Sequence, residues 1–248
     1  MAKIARFSVM SLKGGVGKST LAYYLAKELS KRYNVLLVDR DYTNTIGKIY
    51  GLETGLLNVL GDGVEGKFYD NIGKLRVLSL VSFSPSSLPS LGDFARAYSN
   101  FLEGVDVMIT DNPPGFDEIM AMEFKGYYEV MGEVHCSSVV VTTPGVSLSL
   151  TLSHLNDIVK TLVSWVPQIS FARLLALVVN MVKGNLNIEI PGINVIQIPF
   201  YKELLFRSFV DSSIRPDLDS MIRLMEERIK QIRSGGGILV QSHNLQIQ

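Results

Sequence analysis

Residues 11–20 read "SLKGGVGKST" and follow directly on the apolar run "IARFSVM" of residues 4–10. Three glycines and two lysines share these ten positions, and apolar residues at helical spacing begin immediately afterwards. A strand, a glycine-rich turn and a helix that opens at Lys-Ser-Thr are typical of a phosphate-binding loop. The glycines free backbone N–H groups for an anion, and the helix N-terminus adds the positive end of its dipole. The alternative is a glycine-rich turn without a ligand.

This pattern predicts a role for each residue of the turn. Lys18 is expected to contact the β- and γ-phosphates of ATP, and the Ser19 hydroxyl to ligate Mg²⁺. Thr20 is placed to donate to the α-phosphate. The backbone groups expected to surround the phosphates belong to Gly14, Gly15, Val16 and Gly17. The usual G-x-x-x-x-G-K-[ST] pattern is not matched in full, because Leu12 stands where its first glycine would be.

Seven short apolar runs alternate with helical patterns. They cover residues 4–10, 34–39, 75–81, 105–111, 137–143, 174–180 and 193–199. Several lack the strict alternation of a one-sided strand, which indicates strands covered on both faces. We therefore predict an α/β fold, a doubly wound and mostly parallel sheet flanked by helices in three α/β/α layers. Ligands are expected beyond the carboxyl ends of the strands.

The last predicted helix lies in residues 215–234 and is amphipathic, with Pro216 expected in its first turn. Its basic residues are balanced by acidic ones, so we expect a helix that packs on the sheet, has a solvated outer face and does not bind a membrane. Three glycines follow at positions 235–237. We expect one ATPase domain over residues 1–234 and a C-terminal tail of unknown structure over residues 235–248.

Composition limits the classes of function. With 24 basic and 24 acidic residues the net charge is zero, so any contact with nucleic acid needs a local patch. Cys136 is the only cysteine, which excludes an intramolecular disulfide and any CxxC site in this sequence. The N-terminal residues lack the apolar segment of a signal peptide, and no run approaches the ~20 apolar residues of a membrane span. We expect a cytoplasmic location.

The loop form K-G-G-V-G-K-S-T resembles that of the deviant Walker A ATPases, which include ParA, MinD and Mrp. The resemblance implies a role for the extra lysine, Lys13. In that family it reaches across an ATP-bound homodimer to the phosphates of the partner's nucleotide. Charge on the γ-phosphate would then be shared by cations of both chains, so that ATP holds the dimer together.

Further stretches resemble the same family in the same order. In "LLVDRDYTN", Asp41 matches the carboxylate that orients the attacking water, and Asp39 is implied to lie nearer the magnesium shell. In "VDVMITDNPPG", Asp111 matches the Walker B carboxylate that binds magnesium. Gly115 matches a glycine whose N–H senses the γ-phosphate. The alternatives for these residues are loop capping, solvated charge or a plain turn.

Two strand ends resemble the adenine contacts of the family. Asn180 closes "ALVVN", and its amide could both accept from and donate to a base. Pro199 and Phe200 follow the next strand and match the apolar part of that contact. The sequence departs from the family at Tyr42 and Thr43, which replace the usual residues after Asp41, and in lacking the cysteine pair of Mrp-like cluster carriers.

The resemblance implies an ATP-dependent dimerising ATPase switch in DNA partitioning or intracellular positioning, slow until an activating partner protein stimulates it. Non-specific DNA could be bound by a patch of scattered basic residues. Its candidates are Lys202, Arg207, Arg215, Arg223 and Lys230. The first alternative is an Mrp-like carrier or assembly scaffold without its own cysteine cluster site. The second is a synthetase-like relative that activates a carboxylate with ATP, although such enzymes usually lack a counterpart of Lys13.

Overall fold

Eight strands form one sheet in the computed structural model, which describes residues 3–184, 186–205 and 216–234. The strands are β1 (Ala5–Met10), β2 (Val35–Asp39), β3 (Tyr69–Ile72), β4 (Leu75–Ser79), β5 (Val107–Asp111), β6 (Val134–Thr142), β7 (Ile169–Val182) and β8 (Val195–Pro199). Their order across the sheet is β3-β4-β2-β5-β1-β6-β7-β8. All neighbouring pairs are parallel except β3 with β4. The predicted fold class is therefore confirmed.

Helices connect the parallel strands and cover both faces of the sheet. They are α1 (Lys18–Leu29), α2 (Thr45–Ile49), α3 (Leu56–Asp62), α4 (Leu91–Leu102), α5 (Glu118–Met131), α6 (Val146–Trp165) and α7 (Asp219–Arg233), with a short 3-10 helix at Lys202–Leu205. One apolar core lies between the sheet and helices α1 and α7. A second lies between the opposite face and helices α3 to α6. These two cores give the three layers.

Each of the seven apolar runs contains a strand, but the short strand β3 was not predicted. Its residues, "YDNI", are half-buried or exposed, so they carry no apolar run. A left-handed glycine, Gly73 at φ 63°, turns the chain into β4. The result is an antiparallel strand at the edge of the sheet.

Two expectations for the last helix are wrong. Helix α7 begins at Asp219, so Pro216 precedes it instead of lying in its first turn. The basic residues do not all face solvent either, because Arg228 is 5% exposed and its Nε donates to the Ser137 hydroxyl. The guanidinium of Arg233 pairs with Asp106, as expected for an outer face. The tail at residues 235–248 lies outside the described residues.

The carboxyl ends of three neighbouring strands meet at one edge of the sheet. In the register of the parallel pairs, Asp39 of β2 lies opposite Asp111 of β5. Asp111 also lies opposite Val9 of β1, one residue before that strand ends. The glycine-rich turn therefore leaves the sheet beside two buried carboxyl groups. No helix within the described ranges is long and apolar enough to cross a bilayer.

Helices α4 and α5 pack closely at Gly126. A Cβ atom added there would lie 2.3 Å from Cε1 of Phe94, well inside van der Waals contact. We expect Gly126→Ala to lower the free energy of unfolding by about 1–3 kcal/mol through overpacking. The control is Gly92→Ala in α4, where nothing lies within 4 Å of the added Cβ.

The Gly92→Ala variant should be neutral or more stable by up to about 1 kcal/mol, since alanine favours a helix over glycine. Urea unfolding of both variants measures the difference. Equal stability of the two would contradict the packing described here.

Candidate functional site

The turn between β1 and α1 needs glycine at two positions. Gly15 and Gly17 have φ angles of 74° and 90°, in the left-handed region that side chains with a Cβ rarely adopt. Gly17 immediately precedes α1, and no side chain caps that helix. The first N–H groups of α1 are therefore left for a ligand, as an anion site at a helix N-terminus requires.

The far side of this turn contacts the end of β7. A Cβ at Gly17 would lie 2.3 Å from Nδ2 of Asn180, so position 17 also needs glycine for this close approach. The same Nδ2 donates to the Val16 carbonyl at 2.9 Å. Asn180, predicted as a base contact, thus holds the turn by its amide nitrogen.

Lys18 is the first residue of α1 and only 6% exposed. Burial lowers the pKa of its ammonium group, and the nearby carboxylates of Asp111 and Asp41 partly offset this by raising it. The ammonium is consequently held near two of the predicted carboxylates. A buried cation is costly unless charge of opposite sign lies close by.

Asp111 has a free carboxylate in the interior. Its residue is fully buried, and neither oxygen has a hydrogen-bond partner among the described residues. Burial and the neighbouring Asp39 raise the pKa of Asp111 well above its usual range, although the nearby Ser19 hydroxyl and Lys18 act to lower it. The Ser19 hydroxyl is close enough for that polar effect without the geometry of a hydrogen bond. Such a carboxylate has oxygen lone pairs that suit a cation.

The two hard oxygen donors of Asp111 and the Ser19 hydroxyl fit Mg²⁺. This ion prefers oxygen ligands, and it usually takes one or two carboxylates together with waters and substrate phosphates. In the described ranges, no group of three or more His, Cys, Asp or Glu side chains could hold a metal ion by itself. Asp111 and Ser19 therefore suit a metal ion whose remaining ligands would be phosphate oxygens and waters.

Asp39 has partners within the protein. Its carboxylate oxygens accept from the backbone N–H groups of Ile46 at 2.9 Å, Gly47 at 3.1 Å and Asp41 at 3.1 Å. Burial raises the pKa of Asp39 to about 7, against the lowering effect of these N–H donors. The residue therefore closes the loop after β2 onto α2. Its place in the magnesium shell stays a prediction.

Asp41 lies in the same loop and is half-buried. Its Oδ1 accepts from the backbone N–H and the hydroxyl of Thr43, at 2.9 and 2.8 Å. This fixes the carboxylate at the mouth of the site, close enough to act on the pKa of Lys18. The structure thus brings together Lys18, Asp41 and Asp111, which are far apart in sequence.

The segment after β5 contacts the glycine-rich turn. Gly115, at φ 82°, donates its N–H to the Ser11 carbonyl at 3.0 Å. A Cβ at Gly14 would lie 3.8 Å from the Pro114 side chain. The N–H predicted to sense a γ-phosphate is therefore occupied by a backbone acceptor, and it must leave that acceptor before it can face a ligand.

Lys13 stands on the outside of the turn. The residue is exposed, and its carbonyl accepts from the Ser11 hydroxyl at 2.7 Å, which fixes the backbone at this point. Its side chain is thus accessible from solvent. Its reach toward a second chain stays a prediction.

An apolar cleft of about 100 Å³ adjoins the turn. Gly17 and Thr20 form one side, and the three predicted base contacts, Asn180, Pro199 and Phe200, form another. Tyr24, Met181 and Tyr201 also line it and were not predicted as contacts. The mostly apolar walls suit an aromatic ring.

Met181 is the least predictable member of the cleft. Its φ of 61° is left-handed, and β7 is irregular in register against β8 between Val179 and Val182. Lys183 then places its ammonium 4.6 Å above the Phe200 ring. A pattern of apolar residues does not predict such a shift in strand register.

The basic residues predicted to contact DNA are only partly described. Arg223 and Lys230 are exposed on α7, and Lys202 is exposed in the 3-10 helix. Arg207 and Arg215 lie outside the described residues. The convergence of all five on one patch therefore stays a prediction.

Curated relatives share part of this chain. A cytosolic Fe–S cluster assembly factor of Chaetomium globosum is 31% identical over 176 residues, which are 62% of this chain and 57% of that protein. An iron-sulfur cluster carrier protein of Rickettsia typhi is 32% identical over 148 residues, covering 55% of this chain and 43% of the relative. The chain thus spans about half the length of the curated relatives that it matches.

Solved structures match over nearly all of the chain. The ATP complex of a McdA variant from Cyanothece has a TM-score of 0.59 at 16% identity, covering 97% of this chain and 100% of that one. A plasmid partition protein of Borrelia burgdorferi has a TM-score of 0.53 at 18% identity, covering 94% and 99%. MinD of Aquifex aeolicus has a TM-score of 0.53 at 20% identity, covering 94% and 98%. At these identities the likeness shows a shared fold.

The family profile of the CobQ/CobB/MinD/ParA nucleotide binding domain matches residues 7–228. This range includes the glycine-rich turn, the three carboxylates and the apolar cleft. By this match, and in agreement with its fold, the chain belongs to the CobQ/CobB/MinD/ParA nucleotide-binding domain family.

Proposed function

We propose that this protein is an ATP-dependent ATPase switch that dimerises on binding ATP and acts in DNA partitioning or intracellular positioning. The observation that carries this proposal is the free buried carboxylate of Asp111 beside Lys18, at the mouth of a glycine-rich turn. A carboxylate whose oxygens have no hydrogen-bond partner among the described residues suits Mg²⁺, and an ammonium beside an anion cradle suits a triphosphate.

The nucleotide lies with its phosphates on the turn and its base in the apolar cleft. The N–H groups from Gly14 to Gly17 and the first turn of α1 bind the phosphates, with Thr20 at the α-phosphate. The Asn180 nitrogen is committed to the Val16 carbonyl, which leaves its oxygen to accept from the adenine amino group. Pro199 and Phe200 cover the ring.

Asp111 and Ser19 hold the metal in this proposal. When bound, Mg²⁺ neutralises negative charge that develops on the phosphates. Lys18 does the same from the protein side, and its burial excludes water that would screen its charge. Asp39 supports the loop from behind through its three backbone partners.

Hydrolysis needs a water held in line with the γ-phosphate. Asp41 is the group that we assign to this water, since its carboxylate is fixed at the mouth of the site by Thr43. Its role is positioning, because a carboxylate is a weak base beside a triphosphate. The geometry of one chain leaves the open side to solvent, which agrees with slow turnover until a partner protein closes it.

The second chain supplies Lys13. Its side chain is exposed, so two copies that face each other could each place an ammonium near the other's phosphates. Sharing the γ-phosphate between chains links dimerisation to the presence of ATP. Loss of that phosphate then weakens the dimer.

A second candidate function is that of an Mrp-like carrier or assembly scaffold for iron-sulfur clusters, and the names of the curated relatives favour it. The chemistry of this sequence disfavours a cluster on the chain itself. Its one cysteine, Cys136, is fully buried in β6 beside Ser8 and Ser138. A scaffold role would therefore need cluster ligands from outside this sequence.

Substitution of the two lysines tests the proposed dimer. Lys18→Ala should weaken ATP binding by about 10- to 100-fold, because hydrogen bonds to charged groups contribute roughly 1.5–3 kcal/mol. Lys13→Ala should keep ATP affinity within about twofold and lose ATP-induced dimers, since its ammonium serves only the partner's nucleotide. Equilibrium nucleotide binding and sizing with and without ATP measure both. Equal loss of affinity in the two variants would contradict the role of Lys13.

Asp41→Ala tests hydrolysis. We expect turnover to fall by about 100-fold or more, because the attacking water loses its orienting group. The dimer formed with ATP should then persist. Phosphate release and sizing over time measure the two effects, with Asp157→Ala on the exposed face of α6 as the control. Unchanged turnover in the Asp41 variant would exclude the assigned role.

The cargo separates the two candidate functions. A positioning switch should bind non-specific DNA only with ATP, and binding should weaken steeply with salt. A cluster scaffold purified without oxygen, together with the source of its cluster ligands, should retain iron. A gel shift at several salt concentrations and an iron assay on the same preparation decide between them. ATP-loaded protein that binds no DNA at low salt but carries iron would favour the scaffold.

A further inference from the structure

Three charged side chains lie fully buried directly behind the site. They are Arg6 of β1, Arg40 between Asp39 and Asp41, and Glu123 of α5, each with no exposed surface. Arg6 donates from Nη1 to Oε1 of Glu123 at 2.9 Å, and Arg40 donates from Nη1 to Oε2 at 2.6 Å. The Tyr98 hydroxyl also donates to Oε1 at 2.6 Å. We call these residues the arginine cluster.

The arginine cluster holds two guanidinium groups and one carboxylate. Burial alone would raise the pKa of Glu123, but the two guanidinium groups bring it below its ordinary range. Burial lowers the pKa of the Arg40 guanidinium, and the Asp117 carboxylate also acts on Arg40, against this effect. One arginine would satisfy Glu123, and the hydrogen bonds of the two arginines separate their roles.

Arg6 is accounted for by packing. Its guanidinium stacks 3.8 Å above the Phe124 ring and 4.9 Å from that of Tyr127, and its described hydrogen bonds go to Glu123 alone. It contacts no residue of the proposed nucleotide site. Its contribution is to the core between β1 and α5.

Arg40 instead binds the segment that carries the free carboxylate. Its Nη2 donates to the Thr110 hydroxyl at 2.9 Å and to Oδ1 of Asn112, on either side of Asp111. Its backbone N–H donates to the Asp111 carbonyl at 2.9 Å. Asn112 in turn donates from Nδ2 to the Val9 carbonyl at 2.6 Å, just before the glycine-rich turn.

We propose that Arg40 is a positioning residue that holds Asp111 in place for the metal, with Asn112 as its intermediary and Glu123 as its anchor. The inference rests on the proposed ATP and Mg²⁺ site. Asp111 has no hydrogen bond of its own to fix its carboxylate, so the bonds to its two neighbours and to its carbonyl set its position. Glu123 connects this support to α5, the helix that follows the Gly115 segment.

The chain offers a matched control within the same cluster. Arg40→Met removes the bonds to Glu123, Thr110 and Asn112, whereas Arg6→Met removes only bonds to Glu123. Both leave the buried carboxylate with one guanidinium, so both should lower stability. Asn112→Ala is the second test variant, because it interrupts the support and leaves the arginines and Glu123 intact.

The experiment measures binding of the non-hydrolysable analogue AMPPNP with Mg²⁺ and with EDTA, on the full chain. The readout is the Mg²⁺-dependent gain in affinity, which does not depend on turnover. Arg40→Met and Asn112→Ala should lose about 10-fold or more of this gain, as is typical for groups that orient a metal ligand. Their affinity in EDTA should stay within about twofold of the original chain. Arg6→Met should keep the gain, and Arg40→Lys should restore part of it.

Urea unfolding of each variant measures its loss of stability. Variants that lose similar stability can then be compared for their Mg²⁺-dependent gain in affinity. A full Mg²⁺-dependent gain in Asn112→Ala and Arg40→Met would overturn the inference, and so would an equal loss in Arg6→Met. If Arg40→Met does not fold, Asn112→Ala decides alone. If the unsubstituted chain shows no Mg²⁺-dependent binding of AMPPNP, both the proposed function and the inference fail. If the unsubstituted chain gains affinity with Mg²⁺ and every variant gains as much, only the inference fails.

Discussion

The parallel pairing of β2 with β5 brings two carboxyl groups together, and the rest of the site is arranged around them. Asp39 and Asp111 face each other in register at the ends of buried strands. Like charges at short range in a dry interior cannot both ionise without cations nearby. Lys18 is one such cation, and the left-handed glycines before it place its ammonium at this edge. The vacant lone pairs of Asp111 leave chemical room for another.

Backbone and side-chain bonds join the loops at this edge into one unit. Ser11 accepts from Gly115, Asp39 accepts from the start of α2, and Asn112 donates back to β1. Behind them, Arg40 spans the gap to α5. Each of these loops therefore has a hydrogen-bond partner on another element of the edge.

The fold could be predicted from the sequence further than the site could. The apolar runs predicted seven strands, since strands that are buried on both faces consist of nearly continuous apolar residues. Strand β3 was not predicted because its residues are largely polar and lie at an exposed edge of the sheet. The start predicted for the last helix was wrong because proline is favoured in a first helical turn but also occurs before helices. The motif placed Lys18, Asp41 and Asp111 at one edge. It could not show that Arg40 points inward, because an arginine between two aspartates is typical of a solvated loop.

The curated relatives are an Fe–S cluster assembly factor and an iron-sulfur cluster carrier, whereas the structural neighbours, at 16 to 20% identity, show a shared fold alone. A shared fold does not by itself imply a shared function. Within the site, Asn180 lines the apolar cleft and donates to the Val16 carbonyl of the glycine-rich turn. A substitution at position 180 would therefore alter a wall of the cleft and remove a support of the turn at the same time. These two parts of the site cannot be varied independently through this residue.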